Sequence, residues 1–406
     1  MDKLEFTNVL IDYLENDLKC DFQMEPIKIT KDNGIVNNGI AFYKSDNPGQ
    51  RMIIYIDDVF EDYISFERSL SDIGKELFNM VNQVETPTNM LDFWKETMSD
   101  FNKAKEFLFI KLSTPEYADK LDVPYTDEGE FIATYHVGKF DSENSSSIRI
   151  NDSILKSWGK DIDEIREAAL DNIKKDNILC SMDHLILSNA FSFNGNINNY
   201  LVNDEKIELN GSYVLFNNNP DTFGASALLD VDTLEKVYNK TKSDFVIAPI
   251  CKHEAIIIPT LFKEEKEFER IGKEVIESSV PPEEVLSDKV YRYDSLNKKI
   301  VTNKDYELNY YSNLADELIS IAETIDPYET KDSKVDNEKE FIQDNLCKGN
   351  IDSFIDFIKT STEDLQPNEI AKLYGEDMPE RLDRVLKHLD NIKAGKEQEN
   401  VKPKSI

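Results

Sequence analysis

A thiol, an imidazole and a carboxylate fall close together at Cys251, His253 and Glu254. An imidazole beside a carboxylate can serve acid–base or metal chemistry, and a cysteine adds a nucleophile. An enzyme built on these residues would need a concave site that also recruits distant polar groups, such as Asp288. A Cys/His pair must lie within hydrogen-bond reach and be oriented by a third group. Adjacency in sequence does not supply that, and a turn is expected at Cys251–Lys252. The plainer expectation is a hairpin whose polar turn residues fix its geometry.

The other histidines give no further constellation. His136, His184 and His388 are expected in a strand, a helix and a terminal helical bundle, without the His-Glu-x-x-His spacing of a metal site. Asp57-Asp58 and Glu283-Glu284 are paired carboxylates in an acidic chain. The second pair follows Pro281-Pro282 and suits a helix N-terminus. Neither phosphate-binding glycine motif occurs, and no nucleophile elbow is present. Tyr291 and Tyr293 read as sheet packing, because no basic surround makes them a base-stacking platform. The residues therefore call for no cofactor and no metal, and the reading leans away from an enzyme.

Composition narrows the partners. The 406 residues hold 80 Asp and Glu against 47 Lys and Arg, a net charge of −33. Such a surface repels phosphate backbones and anionic lipid, which disfavours direct nucleic-acid or membrane binding and leaves protein as the expected partner. An acidic mimic of nucleic acid is the sharper alternative, but it needs carboxylates ordered on one face, and here they are spread along the chain. Cys20, Cys180, Cys251 and Cys347 lie far apart and suit a reducing compartment. No basic leader or long apolar run occurs, so the expected location is the cytoplasm.

Periodicity predicts the elements that must position these residues. The intervals of Phe6, Leu10, Leu14 and Leu18 predict a first helix. Strands are expected at 22–29, 40–43 and 52–56, with turns at Asn33-Gly34 and Asn38-Gly39, then helices at 59–63 and 70–84, the latter ended at Thr86-Pro87. A helical pattern runs from Met90 to Leu112. Antiparallel strands follow at 131–137 and 147–150, and Ile162, Ile165, Ala169 and Ile173 form one helical face. Asn194–Asn210 reads as a surface loop. Tyr213–Phe216 is a strand, residues 231–240 a helix, and Phe245–Ile258 a strand pair. A charged helix at 263–277 would turn Phe268, Ile271 and Val275 inward. Tyr291–Val301 closes as a hairpin turning at Asn297.

The expected fold class is α+β: a two-lobed region of mixed or antiparallel sheets with helices, followed by a small all-α module. The expected divisions are 1–87, 88–302, a helix and charged linker over 303–335, a helical module over 336–394, and a disordered tail over 395–406.

Several segments together resemble one family. Ile54-Tyr55-Ile56-Asp57 with Tyr63 is similar to its N-terminal signature. Val123-Pro124, Ile148-Arg149-Ile150-Asn151 and Trp158-Gly159 are similar to its middle. Gly224-Ala225, Ala248-Pro249, His253-Glu254 and the run from Glu284 to Asp294 are similar to its C-terminal half. The family is an uncharacterised one of clostridial and related Firmicutes, domain of unknown function (DUF) five-six-eight-eight, and the resemblance covers about residues 1–302. It implies a cytoplasmic bacterial, phage or mobile-element protein and assigns no activity. Cys251-Lys252 and the Asn-rich stretch depart from the pattern. The expected function is thus a non-enzymatic interaction or accessory factor. The alternatives are an enzyme around His253 and Glu254 and an acidic mimic acting on a DNA-binding or defence protein.

Overall fold

The computed structural model describes residues 1–31, 34–45, 47–83, 88–140, 145–185, 198–209, 211–217, 223–259, 265–326 and 335–401. The chain forms two compact units assembled from interleaved segments. One comprises Met1–Glu106, Glu116–Pro124 and Asn151–Asp161, and the other comprises Phe107–Pro115, Tyr125–Ile150 and Ile162–Ile406. Pro87 lies outside the described residues.

In the first unit, β1 (Gln23–Thr30), β2 (Val36–Lys44) and β3 (Asn47–Tyr55) form an antiparallel sheet in that order. Helices Lys3–Asp12, Asp57–Ile64 and Leu70–Gln83 supply the apolar stripe that packs on it. Phe6, Leu10, Leu14, Ile40, Phe42, Phe60, Ile73 and Leu77 make the core. Each such side chain is worth about 1.5–3 kcal/mol when fully buried. Asn38-Gly39, expected as a turn, lies inside β2. Gly39 faces Ile27 and Tyr55 on the two neighbouring strands, and a Cβ there would come within 2.9 Å of the Ile54 carbonyl oxygen. The glycine is therefore a close-approach residue and not a turn residue. Asp57 anchors the first helix, accepting from Lys3 Nζ (2.7 Å), Asn38 N (2.7 Å) and Asn38 Nδ2 (2.9 Å).

The second unit holds two further antiparallel sheets. In the four-stranded sheet β6 (Ile132–Phe140) is central, paired with β4 (Leu108–Ser113) and with β5 (Tyr125–Asp127) and β7 (Ser145–Arg149). Residues 108–112, expected to continue a helix, instead form β4. Phe-Ile-Lys-Leu suits a strand buried on both faces, and pairing with β6 outweighs the local helical spacing. The six-stranded sheet runs β13-β12-β10-β11-β9-β8, with β8 at Asn177–Ser181, β9 at Tyr213–Asn217, β10 at Phe245–Ala248, β11 at Glu254–Pro259, β12 at Tyr291–Asp294 and β13 at Lys299–Thr302. β8 was not expected. Its Ile-Leu-Cys run is buried and carries no alternation.

Helix Ile162–Asp176 lays Ile165, Ala169 and Ile173 inward, and Asn172 Nδ2 donates to the Leu108 carbonyl at 3.0 Å. The described part of the Asn-rich stretch is more than a surface loop. Leu201 and Ile207 are buried, and Asn199 accepts from Leu179 N and donates to Asn177 O. It therefore covers the edge of β8, which would otherwise offer unpaired backbone groups. In helix Glu265–Ser279 Val275 is exposed, against the inward expectation. The side chains of Phe268 and Ile271 lie outside the described residues.

The C-terminal stretch is helical: Asn303–Ile325, Val335–Lys348, Asp352–Ser361, Pro367–Tyr374 and Met378–Val401. The first of these begins at Asn303, where Thr302 caps it by accepting from Asp305 N. Tyr310, Leu314, Ile321, Leu346, Ile358, Val385 and Leu389 form its core. A buried polar network ties these helices to the six-stranded sheet. His388 Nε2 lies 3.1 Å from Ser295 Oγ, and its Nδ1 lies 3.0 Å from Tyr310 Oη. Asp244 accepts from Tyr306 Oη at 2.7 Å and from Ser295 N at 3.3 Å. Arg384 donates to the Ser295 carbonyl at 2.5 Å and to Glu235 at 2.7 Å.

Candidate functional site

The chain between β10 and β11 carries the predicted residues. Pro249 to Lys252 does not turn freely. It lies beside residues 284–287, with Ser287 N donating to Pro249 O (3.1 Å), Leu286 N to Ile250 O (3.2 Å) and Lys252 N to Glu284 O (2.9 Å). On the other side, Ala225 N donates to Lys252 O at 3.2 Å. Gly224 sits so close that a Cβ would lie 2.4 Å from the His253 carbonyl oxygen. The segments Gly224-Ala225, Ala248-Pro249, His253-Glu254 and Glu284 onward, far apart in sequence, thus meet at one place.

His253 is half-exposed, and its Nε2 lies 3.1 Å from Glu284 Oε2. That contact comes first among the causes that hold the Glu284 carboxyl below its usual range, opposed by burial. Glu284 is thus a side-chain partner of His253, and the expected helix after the prolines is a single 3-10 turn, Pro282–Glu284, with both glutamates in it. Cys251 is partly buried next to them. Burial pushes its thiol up, only partly offset by backbone N–H groups of His253 and Glu254. The thiolate that a nucleophile requires is therefore disfavoured. Glu254 opens β11 and is held above the usual carboxylate range by the surrounding protein, an effect its exposed edge limits. Asp288 is exposed next to Ser287. The structure brings the His253 ring to Glu284 and, among the described residues, gives no hydrogen bond of that ring to Asp288 or to the Cys251 sulfur, which meets the His253 backbone.

The ring of His253 ends a column of four. It stacks on Phe223 (5.0 Å between centroids, 22°), Phe223 stacks on Phe109 (5.9 Å, 10°), and Phe109 stacks on His136 (5.1 Å, 26°). Strand register builds the inner half. Phe109 of β4 lies directly opposite His136 of β6, which lies opposite Arg149 of β7. Lys111, two residues on, shares the face of Phe109 and sets its Nζ 3.8 Å from the centre of the Phe223 ring. Burial, then the charges of Lys111, Arg149 and Lys252, hold His136 well below the usual imidazole range, so the ring is neutral. Lys252 is itself buried and donates to the Glu283 carbonyl at 2.9 Å.

Sequence reasoning singled out His253 and missed Phe109, Lys111, Phe223 and Glu284 as its surroundings. Phe109, Lys111, Phe223 and Glu284 carry no spacing signal toward position 253, because only tertiary pairing brings them near. Among the described residues, no group of three or more His, Cys, Asp or Glu side chains could hold a metal ion. The arrangement can hold two sheets in register through stacked rings and one imidazole–carboxylate contact.

Fold and site together define an α+β protein with antiparallel sheets, whose family-like segments converge on the His253 hairpin. The chain belongs to a family of unknown function, DUF5688, whose model matches residues 3–295. No curated protein and no solved structure matches it. No helix among the described residues is long and apolar enough to cross a membrane.

Proposed function

We propose that the protein is a non-enzymatic interaction or accessory factor whose partner is another protein. The observation that carries this reading is the commitment of the His253 ring to Glu284 on its edge and Phe223 on its face. A Cys/His nucleophilic site would need an ionisable thiol within reach of the ring. Here the imidazole ties together three chain segments, and the nearby thiol is kept protonated. The net charge of −33 favours a partner with a basic surface. A cytoplasmic setting in a bacterium, phage or mobile element belongs to the same proposal and draws on the resemblance alone.

The test pairs affinity capture with a turnover screen, using the full chain and His253→Ala. Recovery of the same discrete protein by both forms, with no turnover of ester, phosphate or peptide substrates by either, is the expected result. Turnover by the wild type that His253→Ala abolishes would overturn the reading in favour of an enzyme.

A further inference from the structure

Helices Asn303–Ile325 and Val335–Lys348 pack against each other through Tyr310, Leu314, Ile342 and Leu346. Beside that seam runs an open groove of about 380 Å³ whose lining includes Leu308, Tyr311, Glu340, Gln343, Asp344 and Cys347. Leu308 is 69% exposed and stands outside the buried stripe of its own helix, so the fold does not use its apolar surface. One exposed leucine is ordinary. This one shares its groove with Tyr311 and the exposed Cys347, and the opposite wall carries carboxylates.

Glu340 and Asp344 lie one helical turn apart on that wall, about 5–6 Å between their Cβ atoms. The neighbouring lysines are engaged: Lys348 Nζ with Asp344 at 2.5 Å, and Lys339 Nζ with Asp316 at 2.6 Å. Glu340 has no cationic partner among the described residues. Protruding apolar surface at Leu308 and Tyr311 beside the uncompensated Glu340, between two helices, matches a third helix with leucine-like side chains on one face and a cation on its flank. An extended strand would find no open backbone there to pair with. Anionic lipid is repelled by the carboxylates, and a second copy would bring two chains of net charge −33 together.

We propose that this groove takes a basic amphipathic helix of a partner protein. The proposal rests on the reading of the chain as an interaction protein and deepens it by naming the surface and the chemistry of its partner.

The probe is a synthetic helix with leucine on one face and lysine on the other, beside a control in which glutamate replaces lysine. Binding to the full chain is read by fluorescence anisotropy at physiological salt. The lysine peptide should bind and the glutamate peptide should not. Leu308→Asp should weaken binding by about tenfold or more, and Glu340→Lys by about fivefold. Glu15→Lys makes the same change in net charge on the other compact unit and should leave binding unchanged. The melting temperature of Leu308→Asp checks that the fold is kept. Failure of the lysine peptide to bind, or equal weakening by Glu15→Lys and Glu340→Lys, would overturn the groove. So would a doubling of mass in solution that Leu308→Asp reverses, which would make the occupant a second copy. Retention of the captured natural partner by Leu308→Asp overturns the groove and leaves the interaction reading standing. Turnover abolished by His253→Ala removes that reading and the groove with it.

Discussion

At the scale of single residues, the contact between Glu284 and His253 makes a prediction with a definite sign. The Glu284 carboxyl is held below its usual range in the folded chain, first by the hydrogen bond to His253. A depressed carboxyl contributes stability that is present above its unfolded pKa and lost as pH falls through the folded one. Glu284→Gln should therefore destabilise the protein at neutral pH, by about 0.5–1 kcal/mol given the partial exposure of both partners. The difference from wild type should shrink as pH falls below about 4. Urea denaturation at pH 7 and in mild acid measures it, and a cost that stays constant across both would refute the pairing. His253 was legible in sequence as a chemically able residue. Its partner was not, because Glu284 stood in an acidic chain among many equivalent carboxylates, and only the pairing of residues 249–252 with 284–287 selects it.

Elements show where pattern suffices and where it does not. The hairpins at 245–258 and 291–301 follow from short β-rich runs with turn residues between them, and the helix carrying Ile165, Ala169 and Ile173 follows from its spacing. The run 108–112 reads as the end of a helix because its apolar residues also satisfy that period, and β6 decides otherwise. The run Asn177–Ser181 has no period at all, so a buried edge strand was invisible. The C-terminal helices were legible as helices, but their attachment was not. Arg384 reaches Glu235 over 149 residues of chain, and no local feature announces that contact. Both groups are nearly buried, with side-chain exposures of 6% and 14%. Arg384→Ala should cost about 1.5–3 kcal/mol, since it removes charge-assisted hydrogen bonds and leaves the Glu235 carboxylate to Tyr293 and Lys298 alone. Arg384→Lys should recover only part of this, because an ammonium cannot bridge Glu235, Glu380 and the Ser295 carbonyl together. Thermal melts of the two variants compare them directly, and equal loss from both would show that the fork geometry is irrelevant.

For the molecule as a whole, a net charge of −33 on 406 residues sets a background of self-repulsion that individual contacts must overcome. Added salt screens it within about 8 Å at physiological ionic strength. The melting temperature should therefore rise by a few degrees between very low salt and roughly 0.15 M sodium chloride, and a fall would mean that attractive surface pairs dominate instead. Charge is the global property that sequence reveals without a fold, whereas the assembly of each compact unit from separated segments can be seen only in three dimensions. One such separation has a consequence in time. Ser295, the last residue matched by the family, is held by Arg384, which follows it by 89 residues. A ribosome adding about 5–20 residues per second needs roughly 4–18 s to make that stretch. For that interval Glu235 and the Ser295 carbonyl wait inside a nascent chain that lacks the guanidinium meant for them, and the sheet must be kept from aggregating until the final helix is made.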